Sequence, residues 1–261
     1  MKINVLYSNL HLDELHFTGK TCVVIDVLRA STVIVTALAN GAKEVIPVNT
    51  VDFAVKVSGD AFRSQTILGG ERNTKKVEGF ALGNSPLEYT TDVIGGKSII
   101  LYTTNGSRSI VKAKFAENLF IVCFNNLDAI VNHLVSLNKD AEIICAGTNG
   151  GFNLEDAVCA GNIVSNLEQS DIEVELTDSS IASKLLYKNY SKSITKMLKN
   201  TDHGKLLIEN GFESDIKECA KINSTDVIPF YNSGVIKKLE PASDKPKESG
   251  NNSKSINAKE K

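Results

Sequence analysis

Short apolar runs rich in β-branched residues alternate along this chain with segments whose apolar residues follow helical spacing. This alternation restricts the fold more than any other feature, because continuous apolar strands separated by helices form a largely parallel sheet that is covered on both faces. Strands are predicted at residues 3–7, 21–27, 44–48, 66–68, 98–103, 119–124, 142–146 and 227–230. Helices are predicted at residues 32–40, 51–59, 107–115, 127–137, 154–168, 179–190, 191–199 and 205–209. The predicted fold class is therefore α/β, with a largely parallel sheet flanked by helices.

The domain organisation follows from length and from one abrupt change in composition. With 261 residues, 42% of them hydrophobic, the chain can bury a large core without disulfides. Residues 1–239 are predicted to form the α/β region, as one unit or as two lobes. From Glu240 onward large apolar residues are almost absent. Such a segment cannot offset its ordering entropy, so residues 240–261 are predicted to be a disordered polar tail.

Charge and cysteine content exclude several classes of function. The chain has 29 Lys and Arg against 31 Asp and Glu, a net charge of -2, which gives no basic face for nucleic acid. No apolar run resembles a signal peptide or a membrane span, so a cytoplasmic protein without a membrane partner is expected. The five cysteines are scattered without a Cys-x-x-Cys pair, which predicts reduced, buried thiols. Homo-oligomerisation stays open.

Arginine is scarce, and its positions are informative. Only four of the 29 basic residues are arginines, namely Arg29, Arg63, Arg72 and Arg108. All except Arg63 lie in glycine- or hydroxyl-rich segments that follow predicted strands. Because the rigid guanidinium fork binds carboxylate, phosphate or sulfonate in a bidentate way, these segments predict an oxyanion site.

In the first such segment, Asp26 lies near the end of an apolar strand, and Arg29, Ser31 and Thr32 follow at a helix start. Ligands of open α/β sheets bind beyond the carboxyl ends of strands, so these side chains are candidates for substrate contact. The structural alternative is that Asp26 pairs with Arg29 while Ser31 caps the next helix.

The second segment contains two glycine-rich stretches, residues 69–72 and 79–88, which include Arg72, Asn84 and Ser85. Glycines after a strand let backbone amides approach an anion closely. Ser85 also begins a helix-capping box, which is the structural alternative for the end of this segment. No comparable alternative is evident for Arg72.

The third segment is a strand end followed by Thr104, Asn105, Gly106 and Arg108. Together these residues could surround a phosphate or a sulfonate. A plain Asn-Gly turn with a helix cap is the structural alternative.

The fourth segment is a glycine-rich loop that ends in Glu155 and Asp156. Two carboxylates at a helix N-terminus are favoured by the helix dipole, which is the structural explanation. Hard cations also prefer oxygen ligands of this kind, so Mg²⁺ is predicted to bind carboxylates drawn from Asp26, Glu155 and Asp156. His133 and His203, in polar helical stretches, are interpreted as structural.

The motifs in residues 23–32, 69–72, 79–86, 103–108 and 155–156 resemble those of the 2-phosphosulfolactate phosphatase family. They occur in the family's order, over roughly residues 1–235. The resemblance implies an α/β fold of unusual topology and a Mg²⁺-dependent phosphoric monoester hydrolase. The implied reaction converts 2-phosphosulfolactate to sulfolactate and phosphate, a step of coenzyme M biosynthesis. Ala81 stands where the family usually has Asp, and Thr74 replaces a usual glycine, so a related phosphorylated small acid is the second candidate substrate.

The resemblance and the residues lead to one set of predicted roles. Asp26, Arg29 and Arg72 are predicted to be catalytic, and Asp26 is either a metal ligand or the nucleophile that forms an aspartyl phosphate. The predicted substrate-binding residues are Ser31, Thr32, Asn84, Ser85, Thr104, Asn105, Gly106 and Arg108. The alternative function is a non-catalytic binder of a phosphorylated metabolite, which the Ala81 departure favours.

Overall fold

A computed structural model describes residues 1–59 and 65–240 of the chain. Arg63 lies outside the described residues, and so do residues 241–261 of the predicted polar tail. The described strands are β1 (Lys2–Leu6), β2 (Thr21–Ile25), β3 (Glu44–Val48), β4 (Thr66–Arg72), β5 (Lys75–Lys76), β6 (Ser98–Tyr102), β7 (Asn118–Val122), β8 (Ala141–Cys145), β9 (Glu175–Leu176), β10 (Pro229–Asn232) and β11 (Val235–Lys238).

Helices connect most of these strands. They are α1 (Ala30–Ala39), α2 (Val51–Ser58), α3 (Thr91–Ile94), α4 (Gly106–Lys112), α5 (Leu127–Leu137), α6 (Leu154–Glu168), α7 (Asp178–Tyr190), α8 (Ile194–Asn200), α9 (Asp202–Glu209) and α10 (Glu213–Cys219). Short 3-10 turns lie at Glu14–Phe17, Pro86–Glu88, Phe124–Asn126 and Ser191–Ser193.

The strands form one mixed sheet in the order β5-β4-β6-β3-β11-β10-β7-β2-β8-β1-β9. Strands β4, β6 and β3 are mutually parallel, and so are β7, β2, β8, β1 and β9. The antiparallel hairpin β10–β11 lies between these two blocks and pairs with β7 on one side and β3 on the other. The predicted α/β class with a largely parallel sheet is confirmed, whereas the position of the hairpin was not predicted.

Strand β2 shows why the sheet is covered on both faces. Val23 and Ile25 belong to a core with side chains of α5, α6, α8, α9 and α10. Cys22 and Val24 belong to the opposite core, which contains α1 and α4. Because successive side chains of a strand point to opposite faces, the four apolar residues at 22–25 require a core on each side. All five cysteines are buried and unpaired, as predicted.

Strand ends that are distant in the sheet order lie close together in the fold. Four strands separate β6 from β2, and the hairpin reverses the direction of one block relative to the other. Helices α1 and α4, which follow β2 and β6, pack in the same core and contact each other. Gly106, at the start of α4, lies against Asp26 and Ala30, and a Cβ atom at Gly106 would collide with both.

Within residues 1–59 and 65–240, no helix combines the length and the apolar character needed to cross a membrane.

Candidate active site

A cavity of about 240 Å³ lies where the segments after β2, β4, β6 and β8 meet, closed on one side by α9. We call it the first cavity. Its lining residues are Asp26, Leu28, Arg29, Glu71, Asn73, Thr74, Asn84, Thr104, Asn105, Thr148, Asn149, His203 and Leu206. Members of all the segments singled out from the sequence therefore lie at or directly behind one site.

Asp26 lies one residue beyond β2 and is 8% exposed. Its Oδ1 accepts a hydrogen bond from the Ala30 N–H at 3.2 Å, and its own N–H donates to Ser31 Oγ at 2.9 Å. Oδ2 accepts no hydrogen bond from any described residue. The pKa of Asp26 is raised to about 7, chiefly by burial. The charges of Glu71 and Glu155 also raise this pKa, whereas the Ala30 N–H and the charge of Arg29 lower it.

Arg29 is 2% exposed and is held from two sides. Its Nη1 donates to Asp215 Oδ2 at 2.6 Å, and its Nη2 donates to the Thr74 carbonyl oxygen at 3.1 Å. The ring of Phe212 lies 4.2 Å from the guanidinium carbon. Its Nε has no hydrogen-bond partner among the described residues. Arg29 therefore pairs with Asp215, not with Asp26 as the structural alternative supposed, and its Nε–H has no partner among the described residues.

Asp215 also binds a second predicted site residue, Ser85. Its Oδ1 accepts a hydrogen bond from Ser85 Oγ at 2.7 Å, so the Ser85 hydroxyl is used inside the protein rather than at the cavity surface. The neighbouring Asn84 does line the cavity, and its buried Oδ1 has no partner in the described part of the chain. Sequence reasoning missed Asp215, because it lies 186 residues from Arg29 on a short helix, α10, that was not predicted.

Glu71 connects two loops that line the cavity. Its Oε1 accepts from the Thr104 N–H at 2.7 Å, and its Oε2 accepts from the Thr74 N–H at 2.9 Å. Asn73 and Thr74 form the two-residue turn between β4 and β5, with φ of 54° and 67°. A turn with positive φ at both central residues favours glycine, which is the residue expected from the resemblance at position 74. Glu71 itself was not predicted as a site residue.

Glu155 and Asp156 lie behind the cavity wall and do not line it. The Asp156 carboxylate accepts from the Val27 N–H at 2.9 Å and from the Gly147 N–H at 3.1 Å. It therefore positions the loop that carries Asp26. Burial raises the pKa of Glu155 to about 7, and burial followed by the charges of Asp26 and Glu155 raises the pKa of Asp156 well above its ordinary value.

The buried Glu155 Oε1 has no hydrogen-bond partner within the described ranges. Across those same ranges, no three His, Cys, Asp or Glu side chains are arranged to hold one metal ion. The three carboxylates predicted as metal ligands are thus close enough to influence one another's charge, but only Asp26 faces the cavity.

Three residues predicted to bind substrate are used inside the loop after β2 or pack against it. The Ser31 hydroxyl accepts from the Asp26 N–H, and the Thr32 hydroxyl donates to the Val27 carbonyl oxygen at 2.9 Å. Gly106 packs on Asp26 and Ala30. None of the three lines the first cavity. The two hydroxyls satisfy the backbone of their own βα segment, and Gly106 provides space for close packing.

A second cavity of about 370 Å³ adjoins the first. Thr104, Asn105 and Asn149 line both, and Arg108 lines only the second. Arg72 lines neither; it is exposed, with its guanidinium carbon 5.9 Å from the centre of the Tyr102 ring. The structure thus separates the three arginines that were predicted to converge.

His203 on α9 lines the first cavity, although it was interpreted as structural. Burial and the charge of Arg29 lower its pKa, which favours the neutral imidazole. A single histidine in a polar helix gives no sequence signal, so only the packing of α9 against the strand ends reveals its position. Asn149, which was not among the predicted residues, has a φ of 51° and lines both cavities.

The first cavity is equipped to receive a small oxyanion together with a positive charge. The free Nε of Arg29 is a donor, whereas the Asp26 Oδ2 and Asn84 Oδ1 are acceptors without hydrogen bonds from the described residues. Two carboxylates on the wall, Asp26 and Glu71, would repel an anion unless a cation or a proton neutralises them. Mg²⁺ commonly keeps several waters and is held by one or two carboxylates and a substrate phosphate, and Asp26 fits that arrangement.

Comparison with known proteins agrees with this chemistry. The chain matches the 2-phosphosulpholactate phosphatase family over residues 7–234. A relative named probable 2-phosphosulfolactate phosphatase from Caldanaerobacter subterraneus subsp. tengcongensis is 43% identical over 218 residues, covering 84% of this chain and 90% of the relative.

Two clostridial relatives have the same name. The protein from Clostridium acetobutylicum is 39% identical over 236 residues, covering 90% of this chain and 100% of the relative. The protein from Clostridium botulinum strain Alaska E43 is 37% identical over 239 residues, covering 92% of this chain and 100% of the relative. With the family match spanning nearly all of the described residues, this chain belongs to the 2-phosphosulpholactate phosphatase family.

Proposed function

We propose that this protein hydrolyses the phosphomonoester of 2-phosphosulfolactate, or of a related phosphorylated small acid, to release the free hydroxy acid and inorganic phosphate. The observation that supports this most directly is the first cavity, where a buried Asp26 and a buried Arg29 with an unpartnered Nε share one wall. The names of the relatives supply the substrate class.

Arg29 is the residue best prepared to bind the phosphoryl group. Its contacts with Asp215 and the Thr74 carbonyl hold the guanidinium in place before substrate arrives. A preorganised cation in a water-poor site stabilises charge that builds on the phosphoryl oxygens during transfer. Because the Asp215 carboxylate already neutralises part of its charge, Arg29 acts mainly through the placement of its unpartnered Nε–H.

Asp26 is the residue best placed to act at the reacting phosphorus. Either its carboxylate attacks the phosphorus, the ester oxygen leaves with a proton, and water then cleaves the aspartyl phosphate, or it holds a cation beside the phosphate while water attacks directly. Both routes give one hydroxy acid and one phosphate for each water consumed.

Mg²⁺ is the proposed cofactor, and Asp26 would hold it on the cavity wall. When bound, the ion would neutralise charge between the carboxylates and the substrate phosphate. The buried Glu155 Oε1 has no partner among the described residues, and burial, followed by other charges, raises the pKa values of Asp26, Glu155 and Asp156. A nearby cation would favour the ionised form of these acids, so the arrangement supports a cation at this wall. In this proposal Asp156 positions Asp26 through the Val27 N–H.

The non-catalytic alternative rested on the loss of a carboxylate at Ala81. Ala81 is exposed and lines neither cavity, so its side chain does not take a carboxylate away from either wall. The catalytic interpretation is therefore the one that we retain.

The test is phosphate release from 2-phosphosulfolactate by the wild-type protein and by Asp26→Asn, with Mg²⁺ and with a chelator. We expect turnover by the wild-type protein, its loss on chelation and its loss in Asp26→Asn, with unchanged circular dichroism in the variant. Acid-quenched protein is also weighed by mass spectrometry. A gain in mass of one phosphoryl group, absent in Asp26→Asn, identifies the nucleophilic route.

Near wild-type turnover by Asp26→Asn would contradict the role of Asp26. Thermal stabilisation of the wild-type protein by substrate without phosphate release would favour the non-catalytic binder.

A further inference from the structure

The second cavity has a basic character that the phosphoryl-transfer chemistry of the first cavity does not explain. The two cavities meet along a shared wall of Thr104, Asn105 and Asn149. The wall is held together by the Asn149 N–H, which donates to Asn105 Oδ1 at 3.0 Å. A ligand whose phosphate occupies the first cavity can therefore extend along this wall into the second.

Arg108 provides the main uncompensated charge of the second cavity. Its side chain is exposed, and it makes no hydrogen bond or ion pair with residues 1–59 or 65–240. In contrast, Arg29 has two of its three guanidinium nitrogens occupied. The Arg108 fork is thus free to form a bidentate contact with a planar or tetrahedral oxyanion.

The other charged residues of the second cavity leave it positive. Lys112 Nζ donates to the Leu10 carbonyl oxygen at 2.6 Å, which leaves the charge of the ammonium group unneutralised. Glu14 also lines the cavity, but it forms an ion pair with Lys114 at 2.6 Å. One arginine and one lysine therefore remain without a carboxylate partner among the described residues.

The first cavity has the opposite charge balance, and the difference would orient a ligand. Asp26 and Glu71 line it, so an anion enters only where a proton or the proposed cation neutralises them, whereas Arg29 is already paired with Asp215. A second strong acid group on the substrate is attracted instead to the basic side of the shared wall, where Arg108 and Lys112 need no such neutralisation.

We propose that Arg108, assisted by Lys112, binds the carboxylate or sulfonate group that stays on the product. The second cavity would thereby select phosphate esters of small acids over simple phosphate esters. This inference rests on the proposed function for the assignment of the phosphate to the first cavity. It makes Arg108 a residue of substrate specificity and not of phosphoryl transfer.

The kinetic test compares Arg108→Gln with the wild-type protein on three substrates that share a secondary phosphate ester. They are 2-phosphosulfolactate, 2-phospholactate, which lacks the sulfonate, and isopropyl phosphate, which lacks both acid groups. For 2-phosphosulfolactate we expect KM to rise about 10- to 100-fold with little change in kcat, the size expected for one charge-assisted contact. For isopropyl phosphate we expect no change in kcat/KM.

The control variant is Lys238→Gln on β11, an exposed lysine that lines neither cavity, and it should match the wild-type protein on every substrate. An equal loss of kcat/KM on isopropyl phosphate in Arg108→Gln would overturn the inference, because it would show that Arg108 acts on the phosphate.

A binding experiment separates this inference from the proposed function. Sulfolactate has both acid groups and no phosphoryl group, so its calorimetric affinity does not depend on catalysis. We expect the wild-type protein to bind it and Arg108→Gln to bind it at least about tenfold more weakly. If the wild-type protein hydrolyses no phosphate ester but this difference is found, the proposed function fails and the binding site stands. Absent or equal binding by the two proteins overturns the site.

Discussion

At the scale of single residues, the site depends on buried polar groups that keep atoms without a hydrogen-bond partner among the described residues. Asp26 keeps a carboxylate at 8% exposure with one oxygen free of hydrogen bonds from the described residues, and Arg29 keeps a free Nε at 2% exposure. Such groups lower the stability of the folded protein, because burial removes water that nothing in the protein fully replaces. They are retained where a ligand replaces that water, which is consistent with the proposed phosphate and cation.

This electrostatic cost predicts a pH dependence of stability in metal-free protein. The pKa of Asp26 is about 7 in the folded protein and about 3.9 when unfolded. Between these values the folded protein keeps a proton that the unfolded chain releases, so the free energy of unfolding falls as pH rises through this range. Thermal denaturation with a chelator should show a melting temperature that decreases from about pH 5 to about pH 8.

Asp26→Asn should flatten this pH dependence, because an amide does not titrate. The dependence should not vanish, since Glu155 and Asp156 also have raised pKa values. Asp52→Asn, at an exposed position on α2, should leave the slope as it is in the wild-type protein. An unchanged slope in Asp26→Asn would show that Asp26 is already ionised in the fold.

At the scale of elements, the site is assembled from loops that follow strands. The helix predicted at residues 154–168 is observed as α6, Leu154–Glu168. It follows β8, whose carboxyl end is at the cavity, so its first residues lie directly behind the cavity wall. In contrast, α10 was not predicted, because a largely polar segment of seven residues is too short to show helical periodicity of its apolar residues. That helix supplies Asp215, the partner of Arg29.

Gly106, at the start of α4, sets the distance between two of these loops. An alanine there would place a Cβ against the Asp26 carboxylate and the Ala30 methyl group, both buried. We expect Gly106→Ala to destabilise the protein by about 1–3 kcal/mol and to lower phosphatase activity by displacing Asp26. Urea denaturation and phosphate release measure the two effects.

Gly59→Ala is the matched control, because the nearest atoms of the described residues around its added Cβ lie at 3.5 Å. Its stability and activity should stay close to those of the wild-type protein. A Gly106→Ala protein with full activity would mean that the loop after β2 can move without consequence for the reaction.

At the scale of the whole molecule, the hairpin β10–β11 joins the two parallel blocks of the sheet. Phe230 pairs with Phe120 of β7, and Ile236 pairs with Val45 of β3. These contacts link segments about 110 and 190 residues apart in the chain, so the hairpin can form its pairs only in the complete fold. The hairpin lies between the blocks, and residues from the ends of β4 and β6 in one block and of β2 and β8 in the other line the same cavity.

Two truncations test this role. A chain that ends at Glu240 should keep the melting temperature and phosphatase activity of the full chain, because the predicted polar tail adds no apolar surface to bury. A chain that ends at Ile228 loses β10 and β11, so it should fail to fold cooperatively and should lose activity. Circular dichroism melting curves and phosphate release compare both with the full chain. Cooperative folding of the shorter chain would contradict the proposed role of the hairpin.

The sequence by itself determined the α/β class, most strands and helices, and the segments that contribute to the site. These are local properties, because apolar periodicity and glycine-rich strand ends are set by neighbouring residues. Only the tertiary structure decided which members of those segments face the cavity. The hydroxyls of Ser31 and Thr32 bind the backbone of their own segment, and the Ser85 hydroxyl donates to Asp215. Arg72 is exposed, and Arg108 lines a different cavity from Arg29. The physical reason is that the pairing of β10–β11 with both blocks and the pairing of distant polar groups depend on contacts between segments, which local patterns do not encode.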